Sequence, residues 1–176
     1  HRAVIEAAVA AGVQHVVYTS APRATTTDLI VAPDHRATEE LLEASGIPFT
    51  FLRNNWYTEN YVPAAQQAKE TGVLLSSAGD GRVASASRRD YVEAAAVVLL
   101  DPAAHAGKAY ELSGDVAWTF KDLAAALAEV LDRDVRLESV SGEEHAATLR
   151  NAGLDEGAIA FLVALDADIA RGDLDK

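Results

Sequence analysis

The stretch from Pro48 to Tyr61, PFTFLRNNWYTENY, decides the fold and joins two contrasting patterns. Its first part, Phe49 to Leu52, is apolar and follows a proline, which is typical of a buried strand. The run from Arg53 to Tyr61 then combines an arginine, three asparagines, a glutamate and three aromatic residues. In open α/β sheets, ligands bind just beyond the carboxyl ends of strands, so this run is the first candidate for a binding site.

Helical and strand-like patterns alternate on both sides of this stretch. Such alternation predicts the α/β fold class, with a parallel sheet that is covered by helices. We expect Asp90 and Thr119 to cap helices, and Ser141 with Glu144 to form a capping box. Strands are predicted over 15–18, 49–52, 73–75, 108–112 and 135–140, a short extended piece over 83–86, and helices over 2–11, 33–44, 62–70, 91–100, the segment after Thr119, 143–152 and 155–169.

The composition narrows the class of protein. With 176 residues, of which 49% are apolar and 24% charged, the chain can form one domain with a real core. It has no cysteine, which excludes disulfides and thiolate metal sites, and no signal peptide or bilayer-length apolar run is seen. The net charge of -12 disfavours nucleic-acid binding. We therefore expect a cytoplasmic protein that binds neither nucleic acid nor membrane.

Two further places carry residues that could do chemistry. Thr19 and Ser20 follow a buried strand, where a hydroxyl could bind a substrate carbonyl or a nicotinamide amide; position alone slightly favours an ST-turn instead. His35 begins a helix and shares one helix face with Glu39, so it could protonate an oxygen derived from a carbonyl. Without more, His35 is better explained as part of a solvated helix N-terminus.

The aromatic run is a stronger signal than these. Trp56 and Tyr57 supply flat apolar faces for a planar ring, and the asparagine amides can hold phosphate or carboxamide groups. Arg88 precedes a predicted helix and could reach a phosphate, although a solvated capping segment explains it equally well. The remaining internal histidines, His15, His105 and His145, lie on separate elements without metal-ligand spacing, so no metal site is expected.

Four motifs, quoted in order, resemble the NmrA-like atypical short-chain dehydrogenases. They are Val17–Ser20 (VYTS), Leu52–Tyr61 (LRNNWYTENY), Gly79–Tyr91 (GDGRVASASRRDY) and Tyr110–Asp115 (YELSGD). Within that family the closest likeness is to the bacterial NAD(P)H:quinone oxidoreductases of type 2. The likeness runs through nearly the whole chain, and the order and spacing of the motifs make it specific.

The resemblance implies a Rossmann-like parallel sheet with a small α/β substrate lobe. Residues 1–176 would then be a partial NAD(P)-binding domain that lacks the N-terminal glycine-rich βαβ units, with about 53–91 and 113–176 contributing to the substrate lobe. No Gly-x-Gly-x-x-Gly motif and no Tyr-x-x-x-Lys pair occurs in the chain. An uncovered sheet edge would favour association, so a homo-oligomer is a further expectation.

The resemblance also implies site residues and an activity. The expected cofactor is NADPH or NADH, and the expected substrate is a quinone, with Tyr57 and His35 as the catalytic residues. His35 falls close to where ordinary relatives carry a catalytic tyrosine. The alternative is a redox-sensing regulator that binds NAD(P) without turning it over. The residues matched to cofactor contacts are Thr19, Ser20, Asn55, Trp56, Tyr57, Thr58, Glu59, Asn60 and Arg88.

Overall fold

The computed structural model describes all 176 residues, which divide into two compact units. The first unit comprises 1–55 and 86–113, and the second comprises 56–85 and 114–176. The strands are β1 (Val16–Ser20), β2 (Phe49–Asn54), β3 (Val73–Ser76), β4 (Arg82–Val83), β5 (Lys108–Leu112), β6 (Trp118–Thr119) and β7 (Arg136–Ser139). The helices are α1 (Arg2–Ala10), α2 (Ala32–Ala44), a 3-10 turn (Thr58–Tyr61), α3 (Val62–Thr71), α4 (Arg88–Leu100), α5 (Pro102–His105), α6 (Phe120–Leu131), α7 (Gly142–Asn151) and α8 (Glu156–Ala170).

The first unit is built on a three-stranded sheet in the order β1-β2-β5, and both pairings are parallel. This confirms the predicted α/β fold class. Because the strands run in parallel, their carboxyl ends lie at one edge of the sheet, and residues paired in register share a face. Ser20, Arg53 and Glu111 are such register partners, so they stand side by side at that edge. Its largest buried apolar side chains are Phe51, Leu29, Leu42 and Leu52.

The second unit holds two small sheets, a parallel β3-β7 pair and an antiparallel β4-β6 pair. Helices α7 and α8 pack on each other, and the largest fully buried apolar side chains of this unit are Leu74, Val83, Ile169 and Leu174. Gly114 marks a close approach of two backbones within this unit. A Cβ atom there would lie 2.1 Å from the Ser85 carbonyl oxygen, so no residue with a side chain fits without a shift.

Several element boundaries differ from the predicted ones. Strand β2 continues through Asn54, because Arg53 and Asn54 pair with β5, so they do not belong to the loop. The prediction that Asp90 caps its helix is wrong. Ser87 is the N-cap, and its hydroxyl accepts a hydrogen bond from the Asp90 backbone N–H, while the Asp90 side chain accepts from the Ser87 N–H. The short helix α5 and the 3-10 turn were not predicted.

Other local predictions are confirmed. Thr119 caps α6, and Ser141 with Glu144 forms the predicted capping box at the start of α7. In both cases the side chain of the N-cap residue accepts a hydrogen bond from a backbone N–H three residues later, which a short-range sequence pattern can encode. None of the helices has the length and apolar character needed to cross a membrane.

Candidate active site

The side chain of Arg53 is fixed by hydrogen-bonded ion pairs within the first unit. Its guanidinium forks onto Glu39 of α2, with Nη2 to Oε2 at 2.7 Å and Nε to Oε1 at 3.0 Å, and Nη1 donates to Glu111 Oε1 at 3.0 Å. The Glu39 side chain is 2% exposed and that of Arg53 16%. The hydrogen bonds to Glu39 raise the pKa of Arg53 above its usual range, so the charge is permanent. The arginine of the aromatic run thus ties β2 to α2 and β5.

His35 is half-buried on α2, which differs from the predicted solvated position. Its Nδ1 atom lies 2.8 Å from the hydroxyl of Tyr18 on β1. Burial lowers the pKa of His35 and raises the pKa of Tyr18, so both groups are neutral near pH 7. Between a neutral Tyr18 hydroxyl and a neutral imidazole, the tautomer sets the direction of this hydrogen bond: either Tyr18 donates to Nδ1, or Nδ1–H donates to the Tyr18 oxygen. In the tautomer in which Tyr18 donates, the imidazole proton lies on Nε2, the ring nitrogen that does not contact Tyr18.

The protonation state of His35 is directly measurable. We expect its imidazole to titrate with a midpoint below the ordinary value of about 6.5, because burial favours the neutral form. Since the folded pKa is lowered, this group contributes stability that is present above about pH 6.5 and is lost as the pH falls through the folded pKa. Two-dimensional NMR of the ring resonances against pH measures the midpoint. A midpoint at or above that of the exposed model imidazole contradicts the assignment.

Thr19 and Ser20 differ in environment although they are neighbours. Thr19 is exposed, whereas Ser20 is 4% exposed and its Oγ atom has no hydrogen-bond partner. The predicted ST-turn would have used this hydroxyl for a local backbone bond, and it does not. A buried hydroxyl without a partner costs about 1–3 kcal/mol, which a bound ligand or water can recover. Ser20 Oγ is thus an unsatisfied polar atom of the first unit, and it has almost no accessible surface in this structure.

The aromatic run crosses from the first unit to the second after Asn55. Asn55 is buried, and its backbone N–H donates to Leu112 O at 2.8 Å. Of the residues that follow, Trp56, Tyr57 and Asn60 are half-buried, and Thr58 and Glu59 are exposed. These residues therefore keep surface that a ligand can contact.

Tyr61, the last residue of the run, has a different role. Its ring packs edge-on against Trp118 at 4.9 Å and Phe120 at 5.9 Å between centroids, within the second unit. Burial raises the pKa of the Tyr61 hydroxyl well above its usual range. Tyr61 is consequently a half-buried packing residue at the end of the 3-10 turn.

Ser85 joins Thr58 to Trp118 in the second unit. The Ser85 Oγ atom lies 2.8 Å from Thr58 Oγ1 and accepts a hydrogen bond of 3.0 Å from Trp118 Nε1. Sequence reasoning missed both Ser85 and Trp118. The only local signal was that Trp118 is one of two tryptophans in the chain.

Arg88 is the first residue of α4, and its side chain is exposed. The N-terminus of a helix carries a partial positive charge, so an arginine there adds to a field that attracts anions. Ser87 and Asp90 provide the cap, so Arg88 is not needed for it. This placement suits a phosphate contact and also suits a solvated surface arginine.

A buried polar cluster in the second unit was also missed by sequence reasoning. Asp166 Oδ2 on α8 accepts hydrogen bonds from Ser76 Oγ at 3.1 Å, from the Ser77 N–H at 2.6 Å and from Ser77 Oγ at 3.0 Å. His145 Nδ1 lies 3.0 Å from Ser77 Oγ and 3.2 Å from Asp166 Oδ2. Because serine and aspartate face the same imidazole nitrogen, the histidine cannot relay a proton between them as in a hydrolase triad. The cluster ties α7 and α8 to the end of β3.

The family model of the NmrA-like family matches residues 1–166. The chain belongs to the NmrA-like family. The resemblance that its four motifs indicated is therefore confirmed.

Relatives of this NmrA-like chain include reductases. It is 46% identical to quinone oxidoreductase 2 of Escherichia coli over 174 residues, which cover 99% of the chain and 60% of the relative. The crystal structure of an NADPH-dependent quinone oxidoreductase from E. coli complexed with NADPH matches with a TM-score of 0.91 and 45% identity, over 99% of the chain and 61% of that structure.

A second solved structure has a similar fold. The triphenylmethane reductase of Citrobacter sp., complexed with NADP(H), matches with a TM-score of 0.93 and 37% identity over 100% of the chain and 62% of that structure. The NmrA-like chain thus spans about three fifths of the length of these relatives. The roles predicted for individual residues, from Thr19 to Arg88, stay predictions.

Proposed function

We propose that this NmrA-like chain is part of an NAD(P)H-dependent reductase that transfers a hydride to a quinone. The observation that carries the proposal is the 46% identity to the E. coli quinone oxidoreductase over 99% of the chain. The match to a relative that was crystallised with NADPH supports NADPH as the cofactor. We assign the substrate lobe to the second unit, residues 56–85 and 114–176.

The residues present fit such a cofactor. The guanidinium of Arg88 at a helix N-terminus suits a phosphate. Trp56 and Tyr57 are half-buried and can pack against a planar ring with the surface they keep. The full proposed contact set is Thr19, Ser20, Asn55, Trp56, Tyr57, Thr58, Glu59, Asn60 and Arg88.

The proposed reaction needs few protein groups. When bound, NADPH supplies a hydride, and together with one proton this converts a quinone to a hydroquinone and leaves NADP⁺. The quinone oxygens can take that proton from water, so orientation is the main task of the protein. His35 and Tyr57 are the proposed catalytic residues, His35 as a hydrogen-bonding group and Tyr57 as an aromatic contact. Tyr18 contacts His35 Nδ1 at 2.8 Å and so restricts the orientation of the imidazole ring.

The test of the activity is NADPH oxidation by the protein at its full natural length, followed at increasing concentrations of a simple benzoquinone. We expect saturable turnover above the uncatalysed rate, and the same assay with NADH measures the preference between the two cofactors. Tight binding of NADPH without oxidation in the presence of any quinone would contradict the enzyme and favour the regulatory alternative.

Arg88 and its neighbour Arg89 allow the predicted cofactor contact of Arg88 to be tested against a matched control. We expect Arg88→Gln to raise the dissociation constant for NADPH about tenfold, because a charge-assisted hydrogen bond to a phosphate is lost. Arg89→Gln is the control: Arg89 is 86% exposed and pairs with Glu93 on the same helix, so it should leave binding unchanged. Fluorescence titration of NADPH measures both constants. Equal effects of the two substitutions would speak against a role for Arg88 in cofactor binding.

A further inference from the structure

The position of Ser85 is set by the backbone around it. The Gly114 N–H donates to Ala84 O at 2.9 Å, and the Ala84 N–H donates to Leu174 O at 2.7 Å. Position 114 also has no room for a Cβ atom, which would lie 2.1 Å from the Ser85 carbonyl oxygen. Contacts with Gly114 and with Leu174 thus restrain the segment that carries Ser85. Its hydroxyl is presented from a rigid support, which is the condition under which one hydrogen bond can orient another group.

The cluster of Thr58, Ser85 and Trp118 contains one more hydroxyl proton than its internal hydrogen bonds use. Trp118 Nε1–H is a donor only, and its acceptor is Ser85 Oγ. The hydroxyls of Ser85 and Thr58 contact each other at 2.8 Å, and apart from the bond that Ser85 accepts from Trp118 they make no other hydrogen bond. Two hydroxyls bring two protons, and the bond between them uses one. One O–H donor of the pair therefore has no acceptor within the protein.

Cooperativity decides where that proton resides. A hydroxyl that already accepts a hydrogen bond becomes a stronger donor, so chains of bonds prefer one direction. Ser85 accepts from Trp118, and this favours donation from Ser85 to Thr58. The remaining proton then lies on Thr58, whose side chain is exposed and can meet a ligand.

We propose that Ser85 and Trp118 are positioning residues that orient and polarise the Thr58 hydroxyl as a hydrogen-bond donor to a carbonyl-type oxygen of a bound ligand. Such an oxygen is present both in the carboxamide of a nicotinamide and in a quinone. The proposal rests on the proposed function for the identity of these two ligands. It adds two residues, Ser85 and Trp118, that the family resemblance did not assign.

The test measures two constants for the same set of variants of the full-length protein. Fluorescence titration gives the dissociation constant for NADPH, and steady-state kinetics give KM and kcat for a benzoquinone. Thr58→Val removes the donor with little change in volume and should weaken one of the two ligands about three- to tenfold. Thr58→Ser keeps the donor and should restore most of that loss. Thr148→Val, an exposed threonine of α7 whose hydroxyl donates to Glu144 O, is the matched control.

Ser85→Ala separates positioning from direct contact. It should reproduce part of the Thr58→Val loss, and the double variant should be no weaker than Thr58→Val alone, because both act through one hydrogen bond. Trp118→Phe keeps an aromatic ring but loses the indole N–H. It should likewise reproduce part of the Thr58→Val loss, and it should add nothing to that loss when combined with Thr58→Val. Thermal melts establish that each variant is folded. Additive losses in the double variant would overturn the positioning role.

The two measurements, the dissociation constant for NADPH and the KM for the benzoquinone, also identify the ligand. A higher dissociation constant for NADPH places the oxygen on the cofactor, whereas a higher KM for the quinone with unchanged NADPH binding places it on the substrate. If Thr58→Val behaves like Thr148→Val in both arms, the proposal is wrong. A protein that binds NADPH but reduces no quinone would disprove the proposed function, while the NADPH arm would still decide the role of Thr58. A protein that does neither would overturn both.

Discussion

Replacing Glu39 with alanine is expected to lower the free energy of unfolding of the first unit by about 3 kcal/mol, at the low end of the range for breaking a buried ion pair. Glu39 receives two hydrogen bonds from Arg53, at 2.7 and 3.0 Å, and is 2% exposed. Without it, the guanidinium stays largely buried with only Glu111 as a charged partner. The second partner is the reason for expecting the low end of the range.

Urea denaturation followed by circular dichroism measures this loss. The control is Glu93→Ala, which removes an exposed partner of Arg89 and should cost less than about 1 kcal/mol, as exposed ion pairs do. A loss for Glu39→Ala as small as that for the control would show that the buried pair contributes nothing beyond a surface pair.

Replacing Asp166 with alanine should cost about 3 kcal/mol or more, because several buried donors lose their acceptor together. The donors are Ser76 Oγ, Ser77 Oγ and the Ser77 N–H, and His145 Nδ1 stands beside them. Burial alone would raise the pKa of Asp166, but the hydrogen bonds from His145 and Ser77 outweigh it and lower the pKa.

That lowered pKa gives the effect of Asp166 a pH dependence. The stabilisation is fully present above the ordinary aspartate pKa of about 4 and is lost as the pH falls through the folded value. Chemical denaturation of both proteins at a series of pH values should therefore show the difference narrowing in acid. Asp80→Ala, a 94% exposed aspartate of the same unit, should stay within about 0.5 kcal/mol of the parent. A difference between Asp166→Ala and the parent that does not narrow in acid would show that the carboxylate charge is not the cause.

Local patterns predicted the elements well because their causes are local. The alternation of strands and helices, the cap at Thr119 and the capping box at Ser141 each depend on residues within a few positions. The error at Asp90 is of the same kind, since the Ser-x-x-Asp spacing from Ser87 could have been recognised as a capping box. These features needed no knowledge of the tertiary fold.

Long-range pairing explains what could not be predicted. Arg53 was grouped with a ligand-binding run, but its partners Glu39 and Glu111 lie 14 and 58 positions away. Ser85 is likewise 27 positions from Thr58 and 33 from Trp118. No spacing rule in one sequence connects such residues. The predicted cofactor contacts came from family motifs, and they await the binding measurements proposed above.

A substitution at Gly114 would change the position of Ser85 in the second unit, although Gly114 itself carries no functional group. Because a Cβ atom there would lie 2.1 Å from the Ser85 carbonyl oxygen, any added side chain must push the two segments apart. The Ser85 hydroxyl would then move relative to Thr58, although neither residue had changed. Laboratory evolution of this protein could thus alter ligand preference through a backbone position that itself carries no side chain.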